Sequence, residues 1–112
     1  MDQNIAIEAF AALAQDSRMS IYRMLVREGP RGFPVGEISQ RLDIVPSTLS
    51  GHLAILKRAG LLKSTRHQRE IHYTANVETM NNLVGFMLAD CCNGQVEHCK
   101  EILYLLEGAP VA

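Results

Sequence analysis

A chain of 112 residues, 47% of them apolar, is long enough for one buried core and too apolar to remain disordered. Its three cysteines, two of them adjacent, make a poor disulfide framework, and 5% aromatics without tryptophan argue against an aromatic cage or a base-stacking platform. No apolar run approaches the roughly 18 residues of a membrane helix and no secretory signal pattern opens the chain, so a reducing, cytoplasmic setting is expected.

The net charge of −1 hides an asymmetry. Residues 1–74 hold ten Lys/Arg against seven Asp/Glu, whereas 75–112 hold only Lys100 against five acidic residues. Between 38 and 73 six basic residues meet only Asp43 and Glu70, with His52, His67 and His72 added. A basic middle suits a polyanion and an acidic end suits another task; an unevenly charged, solvated surface is the plain alternative.

In chain order, Ile5, Ala9, Ala12 and Leu13 recur at near-helical spacing over 4–14, with Ile7 and Phe10 on another side. Asp16 is placed to cap a second helix that carries Met19, Tyr22, Leu25 and Val26 inward. Gly29, Pro30, Gly32 and Pro34 then break the chain into a loop. A short third helix over 35–42 buries Ile38 and Leu42, and Asp43, Ile44 and Val45 form a tight connection. Pro46 suits the first turn of a fourth helix, where its missing N–H is not needed; this helix buries Leu49, Leu53 and Leu56 and stops at Gly60.

From Leu61 the pattern becomes strand-like. Leu61–Thr65 and Glu70–Thr74 read as a hairpin, with Arg66, His67, Gln68 and Arg69 as its polar tip. Asn76 is placed to cap a fifth helix over 77–92 that carries Met80, Leu83, Val84, Met87 and Leu88. Asn93 and Gly94 interrupt it, and a last amphipathic helix over 95–107 carries Ile102, Leu103, Leu105 and Leu106. No internal repeat is visible.

Helix, tight turn, helix and hairpin over 35–74 predict a winged helix-turn-helix: a mainly α, single domain over 1–112 with a small β-hairpin wing. The helix-turn-helix spans 35–60, the wing 61–74, and the helices at 4–14 and 77–107 are left for dimerisation. A helix fits the major groove of DNA and shows short polar side chains to base edges. Ser47, Thr48, Ser50 and His52, in the N-terminal part of the fourth helix, are the candidate readers, and the amides there favour phosphate. Lys57, Arg58, Lys63, Arg66 and Arg69 are the candidate backbone contacts, with the hairpin tip placed for the minor groove. Each has a plain alternative: Ser47 and Thr48 as a helix start, His52 as a packing residue, Arg66 and Arg69 as a solvated turn.

The run AALAQDSRMSI from Ala11 to Ile21 resembles the opening of the ArsR/SmtB bacterial repressors. So does PSTLSGHL from Pro46 to Leu53, followed by Leu56 and by AGLL from Ala59 to Leu62. The likeness runs from about residue 6 to about residue 99. It implies a homodimer whose first and last helices pack across a two-fold axis. It also implies a repressor that binds operator DNA without inducer and leaves it when a metal or metalloid binds. The chain departs from several members of that family. Pro34–Leu42, where many arsenic-responsive members carry a cysteine pair, has none, and Gly51 stands where a larger residue is common. Asp90, Glu97 and His98 do not reproduce the paired ligands of zinc-type members. Cys91, Cys92 and Cys99 instead resemble the arsenite-responsive subgroup with a cysteine trio at the carboxyl end of the fifth helix.

Soft thiolates select soft ions, and three sulfurs with a lone pair satisfy trivalent arsenic or antimony. On one unbroken helix Cys92 and Cys99 would lie about 10 Å apart along the axis, too far for one ion. Asn93 and Gly94 supply a turn that brings Cys99 back, or else Cys99 comes from the partner subunit. The expected inducer is As(III) or Sb(III), methylated arsenicals included, and repression itself needs no cofactor. Buried structural cysteines, a thiol redox switch, and zinc with His98 as a further ligand are the competing readings. Cys-His-Asp enzyme chemistry from Cys91 or Cys99, His98 and Asp90 lacks any oxyanion hole or phosphate-cradling loop, so no enzymatic activity is expected.

Overall fold

A computed structural model describes residues 1–89, 101 and 104 of the chain. Helix α1, Gln3–Leu13, starts where the Asp2 carboxylate accepts from the Asn4 amide at 2.7 Å. It turns Ala6, Ala9, Ala12 and Leu13 inward, small residues that let its backbone approach the core.

Helix α2, Asp16–Glu28, is capped by Gln15 rather than by Asp16: the Gln15 side-chain oxygen accepts from the Arg18 amide at 2.9 Å. Asp16 occupies the first turn instead, where a negative charge complements the helix dipole. The buried face is Ile21, Tyr22, Met24 and Leu25. Met19 and Val26, which helical spacing places inward, are 41% and 44% exposed. One heptad apart, they share a stripe on another side of the helix from the Ile21–Leu25 pair. Burial raises the pKa of the Tyr22 hydroxyl above its ordinary value, and that oxygen has no partner among the described residues.

The expected loop after α2 contains structure of its own. A 3-10 turn, Gly29–Arg31, leads into a two-residue strand β1, Phe33–Pro34. Helix α3, Val35–Leu42, ends at Asp43, which takes a left-handed conformation with φ 53°. Ser39 holds the turn twice: its hydroxyl donates to the Ile44 carbonyl at 2.6 Å, and its carbonyl accepts from the Ile44 amide at 3.1 Å. Helix α4, Pro46–Arg58, buries Leu49, Leu53 and Leu56. It closes at Gly60, φ 81°, where the amides of Gly60 and Leu61 bond back to Lys57 and Leu56, each at 3.0 Å.

Strands β2, Leu62–His67, and β3, Glu70–Ala75, pair antiparallel from Leu62 opposite Ala75 to His67 opposite Glu70. The tip is therefore only Gln68 and Arg69, with Gln68 at φ 57°, and Arg66 and His67 belong to the strand. β1 adds to the other edge of β3, Phe33 opposite Tyr73, so the sheet has three strands in the order β1-β3-β2. This pins the wing to the α2–α3 connection as well as to α4. Helix α5, Val77–Leu88, follows. Asn76 precedes it without capping it: its amide group donates to the Gly60 carbonyl at 3.0 Å, which also accepts from the Thr79 hydroxyl at 2.7 Å. Asn76 thus clamps the start of α5 to the end of α4.

The core gathers Ile21, Leu25, Ile38, Leu49, Leu53, Leu56 and Leu61 at the centre of these elements. Apolar side chains are left outside it on α1 and α5: Ile5, Ile7, Phe10, Val84 and Met87 are all at least 40% exposed. Phe10, Leu13, Met80, Val84 and Met87 line an apolar cleft of about 210 Å³ between the two helices. Among the described residues no helix is long and apolar enough to cross a membrane. Of the expected last helix over 95–107 only Glu101 and Tyr104 are described, both helical; the expected end of the fifth helix past Ala89 and Cys91, Cys92 and Cys99 lie outside the described residues.

Candidate nucleic-acid interface

The first half of α4 is presented outward. Leu49 and Leu53 fix the inward face, so Ser47, Thr48, Ser50 and Gly51 are exposed by helical periodicity. Val45, the N-cap, offers no side-chain acceptor and the first turn holds no acidic residue. The amides of Ser47 and Thr48 therefore have no capping side chain, and no acidic side chain of the first turn opposes a phosphate there. Gly51 adds no side chain to this surface, and a Cβ at that position would meet nothing within 4 Å. The α4 surface is open at its centre.

His52 differs from its neighbours. It is half-buried at the edge of the apolar stripe, and its Nδ1 lies 3.4 Å from Nη1 of Arg18. The Arg18 Nε donates to the Ala12 carbonyl at 2.6 Å, so this one guanidinium joins the α1–α2 corner to α4. Sequence reasoning named His52 but passed over Arg18, because a cation early in an amphipathic helix carries no signal of what lies across from it.

The basic candidates divide between two sides. The Lys57 Nζ donates to the Ser64 hydroxyl at 2.6 Å, tying the base of the wing to the end of α4. Arg66 follows Ser64 at the two-residue repeat of the strand, on the same sheet face, and its Nε donates to the Gln68 carbonyl at 3.1 Å. Arg69 is exposed in the turn, and Arg58 is exposed in the last turn of α4. Lys63 stands on the opposite sheet face from Ser64, in a cleft of about 330 Å³ shared with Val26, Thr74, Asn76 and Glu78. The structure thus groups Ser47, Thr48, Ser50 and His52 on α4, and it separates Lys63 from Lys57 and Arg66. His67 and His72 lie together on the wing, ring centroids 4.4 Å apart, with Glu70 at 4.0 Å from His72 Nε2.

An exposed, uncapped helix start flanked by a cationic hairpin is a nucleic-acid-binding arrangement of the winged helix-turn-helix class. Comparison with known proteins agrees. The helix-turn-helix domain family matches residues 13–65. The uncharacterized HTH-type transcriptional regulator YbzH of Bacillus subtilis is 33% identical over 94 residues, 72% of this chain and 93% of that protein. The transcriptional activator HlyU of Vibrio cholerae is 36% identical over 82 residues, 73% of each chain. The solved structure of HlyU covers 80% of this chain and 100% of its own, with a TM-score of 0.61 and 32% identity. An ArsR-like transcriptional regulator from Rhodococcus sp. RHA1 shares the fold over 96% of both chains, with a TM-score of 0.69 and 20% identity. The chain belongs to the helix-turn-helix transcriptional regulators and has the fold of their ArsR type. Its relatives are named as regulators of transcription and not as enzymes.

The wing assignment has a direct test. Replacing Arg66 and Arg69 together by Ala is expected to weaken binding to all duplex sequences and to lower the salt slope of log K by about 2 for each bound protomer, one counterion-releasing contact per residue. Ser50→Ala is expected instead to relax sequence preference, by about 1–3 kcal/mol for a good base contact. Salt titrations on specific and scrambled duplexes separate the two effects. A double variant that binds like wild type at every salt concentration removes the wing from the interface.

Proposed function

We propose that this protein is a homodimeric, cytoplasmic transcriptional repressor that binds operator DNA when metalloid-free and releases it on capturing As(III) or Sb(III). The observation that carries the DNA half is the exposed, uncapped start of α4 beside the cationic wing. Two such units on a two-fold axis would reach successive major grooves of a near-palindromic site. The inducer half rests on the sequence: three thiols within 91–99, in the acidic end of the chain and outside the DNA-reading segment. Soft trivalent arsenic or antimony is the ion that three thiolates select. Release requires only that metalloid favour a dimer geometry that fits DNA poorly; a coupling of about 1–3 kcal/mol is sufficient. Because HlyU is named an activator, the sign of regulation rests here on the ArsR/SmtB resemblance.

The dimer is supported by the exposed Phe10, Val84 and Met87 around the α1–α5 cleft, apolar surface that a monomer leaves in water. A dimeric mass is expected at micromolar concentration without DNA or metalloid, and Phe10→Asp is expected to shift it to monomer. A monomeric wild-type mass by sedimentation would rule the dimer out. The proposal as a whole is tested by selecting a duplex from a random pool with the full-length protein and titrating the complex with arsenite under strong reductant. Release of DNA by arsenite is expected. Release by oxidant alone, with none by arsenite, would assign a thiol redox sensor instead.

A further inference from the structure

We propose that Arg18 is a positioning residue for DNA reading: by donating to Nδ1 of His52 it keeps the imidazole proton on Nε2, so that α4 presents an N–H donor at this position. The inference rests on α4 as the DNA-reading helix and goes beyond it by assigning the chemistry of one contact.

The geometry begins at the corner between α1 and α2. The Arg18 backbone amide donates to Gln15 at 2.9 Å, and its Nε donates to the Ala12 carbonyl at 2.6 Å, so the backbone is anchored and the guanidinium is held at Nε. Its Nη1 then lies 3.4 Å from Nδ1 of His52. A guanidinium carries donors only and keeps its charge, so the nitrogen facing it must be the acceptor. In the neutral ring the remaining nitrogen, Nε2, carries the hydrogen. Without this contact both tautomers are open to the ring, Nε2–H the more populated, and for part of the time an acceptor is shown in place of the donor.

The position suits a reader. His52 follows Thr48 by one turn, and helical side chains lean over the turn N-terminal to their own Cα. The ring therefore leans towards the exposed Thr48, in the half of α4 that also exposes Ser47 and Ser50. An Nε2–H donor here pairs with an acceptor on DNA, either a base edge such as purine N7 or a phosphate oxygen. Half-burial between Arg18 and the apolar stripe holds the ring in place and spares the entropy of ordering a free side chain on binding.

The test uses the full-length protein in reductant, a duplex it has selected from a random pool, and a scrambled duplex of the same length. Long-range 1H–15N correlation, with His52 assigned by its loss in His52→Gln, reads the tautomer. Wild type is expected as Nε2–H, and Arg18→Gln as a mixture of both forms with its melting temperature measured alongside. His52→Asn retains a polar group near Nδ1 but removes the Nε2 donor, and is expected to lose about tenfold in affinity, the low end of a base contact. His52→Gln places an amide N–H near Nε2 and is expected to remain within about threefold of wild type. Adding Arg18→Gln to His52→Gln is expected to cost no further DNA affinity. Loss confined to the selected duplex assigns a base edge, and equal loss on both assigns a phosphate. The inference is overturned if wild type shows Nδ1–H, if Arg18→Gln leaves the tautomer unchanged, or if His52→Asn binds as wild type. If no duplex is selected, or Ser47→Ala and Ser50→Ala leave preference untouched, α4 is not the reader and both proposals fall together.

Discussion

Gly32→Ala is expected to destabilise the fold by about 2–6 kcal/mol, the sum of a positive-φ backbone penalty and a steric one. Gly32 sits at φ 66°, and a Cβ built there would lie 2.3 Å from the Tyr73 carbonyl oxygen and 2.6 Å from the Thr74 Cγ2. Neither neighbour can yield cheaply. The Tyr73 carbonyl is strand backbone, and Tyr73 pairs with Phe33, itself 4% exposed in the core. Relief would mean pulling β1 off β3 and loosening the wing from the α2–α3 connection. For a domain of this size the melting temperature should fall by at least roughly 10 °C. Gly29→Ala is the control: its φ of 81° carries a similar backbone penalty, but a Cβ there meets nothing within 4 Å. It is expected to cost only about 1–3 kcal/mol. Denaturant unfolding of both variants reads the difference, and equal costs would mean that the close approach of Gly32 to β3 does not hold the wing.

That close approach was invisible in the sequence, where Gly32 counted only as one breaker among Gly29, Pro30 and Pro34. The helices were legible because each depends on contacts within one or two turns. Ile38 inside α3, Pro46 at the start of α4, the stripe Leu49, Leu53 and Leu56, and Gly60 at the stop are local signals, and the structure uses each of them. β1 has two residues and includes a proline, so it has neither the length nor the alternation that marks a strand; it exists because β3 has a free edge beside it. The inward face of α2 was misjudged at Met19 and Val26 for a related reason. Both are apolar and helically spaced, and only the position of α4 and the sheet decides which stripe the core takes. Asn76 shows the same limit at one residue, since its amide reaches Gly60, sixteen positions earlier in the chain.

The candidate site divides along the same line. Exposure of Ser47, Thr48 and Ser50 follows from α4 periodicity and was legible. The length of the wing was not, because Arg66 and His67 read as turn residues until the register places them opposite Ile71 and Glu70. Nor was the sidedness of Lys63 and Ser64, which depends on which face of the sheet packs on α4. Arg18 became a member of the site only through its distance to His52, thirty-four residues away.

Cys91→Ser and Cys92→Ser are expected to leave DNA affinity within about twofold of wild type and to abolish or weaken release by arsenite. The two halves of this expectation have separate grounds. The proposed DNA-contacting residues run from Ser47 to Arg69, and none of them is a cysteine. The thiols fall in 75–112, where one basic residue meets five acidic ones, a segment ill suited to phosphate. Exchanging sulfur for oxygen there removes a soft ligand and leaves the charge of the DNA-binding surface as it was. Losing one of two adjacent thiolates takes away the strongest chelate available to a soft ion, so the arsenite needed for release should rise at least about a hundredfold. Cys99→Ser should matter as much for an ion that needs three sulfurs, and less for a methylated arsenical, which has fewer positions left to exchange. The competing readings predict other patterns. A redox pair makes Cys99→Ser insensitive to oxidant while wild type ignores arsenite in excess reductant. A zinc site makes chelator, and not arsenite, the agent that changes DNA affinity, with His98→Ala acting like a cysteine variant. A structural trio lowers the melting temperature in all three serine variants without any inducer effect. One arsenite titration of the DNA complex under strong reductant, repeated on the three variants, separates the metalloid sensor from the other three, and oxidant, chelator and melting temperature then separate those from one another. If Cys91→Ser and Cys92→Ser release DNA at the wild-type arsenite concentration, the sensor lies elsewhere in the chain.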